Sequence, residues 1–298
     1  MDAELTPQRK SADAFAFMLM VFLCFLWGIN QVMAKLAAPD MSLVMQAAMR
    51  SLIAVLMLIL WMRHRRMSLF ERDGTLWAGL ACGILFAGEF LFMFAGLART
   101  DASRLVVFVY LAPCLTALGL HIFVPGERLR PLQWTGILLA FVGIVFAFQD
   151  GFSASRGTWQ GDAFGVIAAL LWAATTVVVR STKLAAVSAG KTLFYQLGMA
   201  ALLLPFASWL IGEPGLIKAT PMLFASLFYQ GVIVAFASYL AWFWLLTRYL
   251  ASRILVFSFF TPLFGVIGGV IILHEPYSAM FGLSVLLVGA GIFLVNKR

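Results

Sequence analysis

Gly96–Phe148 reads GLARTDASRLVVFVYLAPCLTALGLHIFVPGERLRPLQWTGILLAFVGIVFAF, and Leu245–Val295 reads LLTRYLASRILVFSFFTPLFGVIGGVIILHEPYSAMFGLSVLLVGAGIFLV. The second stretch repeats the first. Ala102-Ser103-Arg104 falls on Ala251-Ser252-Arg253, Pro113 on Pro262, Glu127 on Glu275, and Gly136 and Gly143 on Gly282 and Gly289. The offset drifts slightly along the copy, as small changes in loop length would make it. The series is ordered, so the chain is two halves of one design.

The composition says where such a chain lives. Of 298 residues, 63% are hydrophobic and 11% charged. A soluble domain is about half apolar and about a quarter charged, so a water-soluble fold is excluded. The net charge of +8 would suit nucleic acid, but the basic residues form short clusters between apolar runs, as in membrane-protein loops. No nucleic-acid partner is expected. Cys24, Cys82 and Cys114 lie within apolar runs and His64, His121 and His274 sit singly at run ends, so neither a metal site nor a disulfide framework is expected. No HExxH, GxSxG, P-loop or GxGxxG motif occurs, and the expectation is no cofactor and no enzymatic activity.

Residues 1–13 read as a polar tail. Apolar spans follow at 14–36, 42–62, 75–98, 102–123, 132–149, 162–182, 192–212, 221–247, 252–273 and 277–296. Each approaches the ~20 residues a helix needs to cross ~30 Å of hydrocarbon. The expected fold is therefore all-α and polytopic, with ten transmembrane helices. A Gly- and Ser-containing segment, 150–161, divides 14–149 from 162–296, five helices each. About fifteen lysines and arginines fall on the side of the termini and about five on the other, which predicts cytoplasmic termini. Compact loops suit a bacterial inner membrane.

Five helices per repeat is odd, so the second half enters the membrane inverted. Inverted repeats are the architecture of secondary transporters, with a solute site near the midplane. Some channels share them, but no filter motif or re-entrant half-helix is visible here.

Each repeat has a mid-helix proline, a glutamate at the end of that helix and a glycine-rich last helix. With Leu26-Trp27-Gly28 in helix 1, Arg50 within Ala48–Leu52 of helix 2, and the Pro113 to Glu127 and Pro262 to Glu275 pairs, the chain resembles the drug/metabolite transporter superfamily, and the EamA-type family most. The resemblance spans nearly the whole chain. It implies solute transport, most often export of amino acids, related metabolites or amphipathic compounds. The second half departs from the first: Ala173 follows Trp172 where Gly28 follows Trp27, and Tyr195 aligns with Arg50.

Charge inside a membrane is costly, about 2.5–3.5 kcal/mol at a helix centre on insertion scales, so it needs a reason. Arg50 and Glu89 lie at similar depth on consecutive helices. They could line the cavity and meet the carboxylate and ammonium of a zwitterion, or they could form an internal pair, with Gln46 completing the guanidinium's hydrogen bonds. Glu89 is also the candidate for carrying a coupled proton. Trp27 and Trp172 occupy equivalent places. Asn30 and Gln31 lie a turn beyond Trp27, and Thr175 and Thr176 a turn beyond Trp172, giving each helix an aromatic plate beside hydrogen-bonding groups. Tyr239 and Trp242 are further lining candidates, and Tyr195, Gln196 and Tyr110 weaker ones. Pro113 and Pro262 are candidate hinges, or static bends. Glu127 and Glu275 are expected to cap or anchor helix ends rather than bind solute.

The expected function is export of an amino acid or related small amphipathic metabolite by alternating access, with the bilayer, the solute and a coupling proton as partners. The rivals are an organic-cation, multidrug or choline-like amine transporter and, in another class, a non-transporting membrane receptor or assembly subunit. Oligomeric state and substrate identity are not fixed by the sequence.

Overall fold

Asp13 starts the first membrane helix. Its carboxylate accepts from the N–H of Ala16 at 2.9 Å, satisfying one of the donors a helix start leaves open. The computed structural model describes residues 10–67, 73–97, 99, 102–147, 149, 159–273 and 280–297. Among these residues ten helices follow one another: α1 (Ala14–Ala37), α2 (Leu43–His64), α3 (Leu76–Leu97), α4 (Ala102–Val109 continued by Ala112–Phe123), α5 (Pro131–Ala147), α6 (Trp159–Ser181), α7 (Ala189–Leu210), α8 (Pro221–Phe228, Tyr229–Ser238 and Tyr239–Arg248), α9 (Ala251–Ile254, Leu255–Phe259 and Phe260–Leu273) and α10 (Phe281–Asn296). Eight are long and apolar enough to cross a membrane, while α5 and α10 are shorter apolar helices. The expected all-α polytopic fold is the fold found. Trp159, expected at a span end or in a loop, is the first residue of α6, and α7, capped by Ser188, begins three residues before the expected span start.

Two helices are broken where proline predicts it. Pro113 has no N–H to give to Val109, and the helix interrupts at Tyr110–Leu111 just before it. In α9 a 3-10 stretch, Leu255–Phe259, precedes the segment whose first turn holds Pro262. The middle of α8, Tyr229–Ser238, is wound as a π-helix, a winding that is rare and frequent at functional sites.

Successive helices are antiparallel but are not each other's main neighbours. The heaviest packing runs between the sequence halves: α5 on α10, α3 on α6 with α8 on α1, α2 on α7, α1 on α9 with α6 on α4, and α3 on α7 with α8 on α2. Adding five to each helix number turns one pair into another, as a two-fold axis between inverted repeats requires. Exposed Phe22, Leu56, Leu202 and Leu286 present an apolar coat, and Gln46, Arg50, Gln196 and Gln230 are buried inside.

Small residues allow the close approach. A Cβ on Gly28 would lie 2.7 Å from the backbone nitrogen of Gly265 and 2.8 Å from the carbonyl oxygen of Thr261. Neither atom can rotate away, so Gly28→Ala must lever α1 off α9. Overpacking of this kind costs about 1–3 kcal/mol, and thermal unfolding in detergent is expected several degrees lower. An unchanged midpoint would show the seam to be slack.

The face on which α1 begins also carries the α2–α3, α4–α5, α6–α7 and α8–α9 connections; it is the terminal face below, and the opposite one the far face. On the terminal face Lys191 of α7 donates to Asp73 at 2.5 Å, and Thr75 donates to the same carboxylate. These bonds hold the Asp73 carboxyl well below the usual carboxylate range. A depressed acid stabilises the fold above its unfolded value, near 4, and loses that contribution as pH falls through the folded value. Asp73→Asn is therefore expected to flatten the acid limb of a melting-temperature profile below about pH 4. A mutant profile parallel to that of the wild type would contradict this.

Candidate functional site

The bundle brings one face each of α1, α2, α3, α4, α6 and α8 together at mid-depth. From α1, the Trp27 indole donates to the Ser238 hydroxyl of α8 at 2.8 Å, and its ring meets Tyr239 and Trp242 edge-on at 6.2 and 5.9 Å between centroids. Tyr239 in turn stands edge-on to Phe86 of α3 at 6.1 Å, and Phe86 to Phe90 at 5.0 Å. Arg50 of α2 lies over Phe90, 4.2 Å from the ring centroid, within the range of a cation–π contact. Tyr110 of α4 meets Trp172 of α6 at 5.9 Å. The aromatic wall thus draws on both repeats.

Two opposite charges face each other across it. Arg50 is 3% exposed, its Nε has no hydrogen-bond partner, and the Tyr239 hydroxyl lies beside the guanidinium. Glu89 is half-buried, within electrostatic reach of Arg50, Tyr110 and Tyr239. Among the described residues it makes no hydrogen bond and no ion pair. The internal salt bridge that the sequence left open is therefore not formed.

Other expectations need correction. Gln46 does not complete Arg50's hydrogen bonds. It donates to the carbonyls of Met41 and Ala34 and accepts from Gln230 of α8 at 2.9 Å, so it joins α2 to α8. Tyr195 is not brought to the aromatic wall. Gly79 leaves room for its ring on α3, and its hydroxyl sits 3.3 Å from Thr75 at the terminal face. Thr175 and Thr176 turn their hydroxyls back on the carbonyls of Leu171 and Trp172. Asn30 is buried with its side-chain oxygen unpartnered, whereas Gln31 is exposed. Phe86 escaped the sequence reading, although an aromatic at every fourth position of α3 (86, 90 and 94) was a visible signal.

Accessibility differs between the two ends. Gln31 and Lys35, on the far half of α1, are exposed; they share a face with Met20 and Cys24, which are fully buried. With Trp27 set on Trp172, their counterparts on the terminal half of α6 are Thr176 and Arg180, which are 6% and 5% exposed. Glu89 is half-buried and its counterpart Ser238 is 2% exposed. The wall is thus more open toward the far face.

At the terminal face carboxylates of the first half reach the second: Asp73 to Lys191, Asp13 to the Tyr249 hydroxyl and, most deeply buried, Glu127. Gly126 takes a φ of +91°, a conformation glycine adopts without strain, and the chain then turns Glu127 inward. Glu127, 2% exposed, accepts from the N–H groups of Ala251 and Ser252 at 2.9 and 3.0 Å and from the Ser252 hydroxyl at 2.6 Å, and pairs with Arg180. It is a helix cap, as expected, but the helix is α9 of the other repeat. Glu275 lies outside the described residues. At the far face Glu213 caps α2 by accepting from Val44 and Met45 at 3.2 Å.

The sequence profile of the EamA-like transporter family matches residues 14–149 and 159–297. A "Probable amino-acid metabolite efflux pump" of Escherichia coli (strain K12) is 25% identical over 93% of this chain and 93% of its own length. An "Uncharacterized transporter YvbV" of Bacillus subtilis (strain 168) is 25% identical over 98% of this chain and 93% of its own. One solved crystal structure superposes on 95% of this chain and 98% of its own with a TM-score of 0.77 at 19% identity, a likeness of fold.

Proposed function

The chain belongs to the EamA-like transporter family, and from that membership we propose that it exports amino acids or related zwitterionic metabolites by alternating access, across a bacterial inner membrane and with both termini in the cytoplasm. One observation carries the choice of solute. Arg50 and Glu89 are near enough to feel each other, yet the Arg50 Nε has no hydrogen-bond partner and, among the described residues, Glu89 makes neither hydrogen bond nor ion pair, the pairing a charge inside a membrane protein requires. A solute bearing both an ammonium and a carboxylate answers both groups at once. The carboxylate sits on the guanidinium, held in plane by Phe90, with the Tyr239 hydroxyl as a second donor. The ammonium sits on Glu89, with Trp27 and Tyr239 around the apolar remainder. An organic cation would leave Arg50 unanswered, which weighs against that rival. The relative named as an amino-acid metabolite efflux pump accords with this reading.

Alternating access is supported by the inverted halves and by the unequal burial of equivalent positions. The conformation described is closed at the terminal face. Pro113 and Pro262 break the two helices, α4 and α9, that each pack on the opposite repeat, and these breaks are the hinges of the movement. Glu89 carries the coupled proton, and an ammonium and a proton compete for the same carboxylate.

Competition among close analogues tests the solute class. In proteoliposomes exchanging a labelled amino acid, its amide lacks the charge for Arg50 and its N-acetyl form the charge for Glu89. Losing a charge-assisted bond costs about 1.5–3 kcal/mol, so each is expected to compete at least ten times more weakly. Equal competition by the amide would turn the assignment to a cationic amine.

A further inference from the structure

We propose that Glu127 is the latch of the terminal-face gate, so that opening to the cytoplasm begins when this carboxylate lets go of α9 and Arg180; the proposal rests on the alternating-access reading. A carboxylate that merely capped its own helix would bind nothing beyond it. Glu127 sits in the α4–α5 connection of the first repeat, and among the described residues its carboxylate binds groups of the second only: the first turn of α9 and the last turn of α6. Arg180 extends the tie by donating to the Leu246 carbonyl of α8 at 3.3 Å. Glu127 and Arg180 together therefore tie the α4–α5 connection of the first repeat to three helices of the second, α6, α8 and α9, and this tie must part if the wall is to be reached from this face.

The partners suit a bond that is made and broken. The N–H groups of Ala251 and Ser252 are among those a helix start leaves without an intrahelical acceptor, so water satisfies them once the carboxylate leaves. Arg180 lines a small cavity with Thr192, Phe243 and Thr247, and its Nε has no hydrogen-bond partner. The guanidinium thus has a place to remain when Glu127 withdraws. Above the latch, Thr176 lies one helical turn deeper and is buried, whereas its counterpart Gln31 toward the far face is exposed.

The test is thiol accessibility from each side, in a chain whose three native cysteines are replaced by alanine. Thr176→Cys reports the terminal face and Gln31→Cys the far face, each labelled by a membrane-impermeant reagent in vesicles of known orientation. Glu127→Gln leaves one acceptor oxygen for three donors and removes the charge facing Arg180. A loss of about 1.4 kcal/mol is tenfold in the equilibrium, so labelling at 176 is expected to rise about tenfold and labelling at 31 to fall. Ser252→Ala, which removes one bond and keeps both N–H groups, is expected to raise the first by about threefold. Rates at 176 equal to the parent's in both variants overturn the latch, as does a rise at both positions, which marks general loosening. If the Glu127 variant does not reach the membrane, Ser252→Ala decides alone in the same way. Counterflow by the parent vesicles is read separately: its absence removes the transport reading, while unchanged labelling with counterflow intact removes only the latch.

Discussion

Arg50→Gln is expected to lower transport of a zwitterionic amino acid about thirtyfold or more while leaving the protein folded. Arg50 is the buried cation of the wall, held over Phe90 with an unpartnered Nε. Truncating one partner of a buried charge pair costs about 2–5 kcal/mol, much of it from the charge left behind. Here the charge left behind is the solute carboxylate, so the penalty falls on the loaded protein and little of it on the empty one. Glutamine keeps much of the volume and an amide donor, and no large cavity opens. Arg50→Lys tests the geometry: an ammonium keeps the charge but loses the planar fork, and an intermediate rate is expected. Initial rates over a range of solute concentrations, with melting in detergent as the fold control, measure both. Wild-type rates in the glutamine variant would make Arg50 structural.

Glu89→Gln should have an effect of similar size with a different signature. The wild-type protein is expected to accumulate solute in response to an imposed pH gradient, because one carboxylate takes either the proton or the ammonium. Glutamine can do neither as a charge. Gradient-driven accumulation is expected to vanish, and residual exchange to fall by about tenfold or more, the loss of a charge-assisted bond. Two other outcomes are informative. Retained exchange without gradient response would leave Glu89 as the proton carrier alone. Retained gradient response would remove it from the mechanism.

Much of this fold was legible because the bilayer imposes so few solutions. Ten apolar runs, an odd number per repeat and the placement of lysine and arginine required an inverted pair of five-helix units. Arg50 and Glu89 stood out because charge in such runs is costly, and the turn arithmetic put them at one depth. What the sequence withheld was which face of each helix meets which neighbour. In water, the apolar stripe marks the buried side. In lipid, both sides are apolar, and α5, α7 and α10 carry almost no stripe to read. That is why Gln46 was given to Arg50 when Gln230 holds it, and why Tyr195, level with Arg50 by repeat alignment, fills the space over Gly79 instead. Glu127 was recognised as a cap, yet nothing local says that the capped helix begins 124 residues later. Glu213 on α2 is the same kind of long-range partnership.

The most direct test of the account is counterflow: proteoliposomes preloaded with an unlabelled amino acid, diluted into a trace of the same compound labelled, with no imposed gradient. A carrier that exposes one site to alternate sides must exchange, so the label is expected to accumulate transiently above its outside concentration and then decay, and saturating solute is expected to limit the rate. Label entry that never exceeds the outside concentration, or that rises linearly with solute and ignores what is inside, would contradict alternating access and return the chain to a channel or a non-transporting membrane protein.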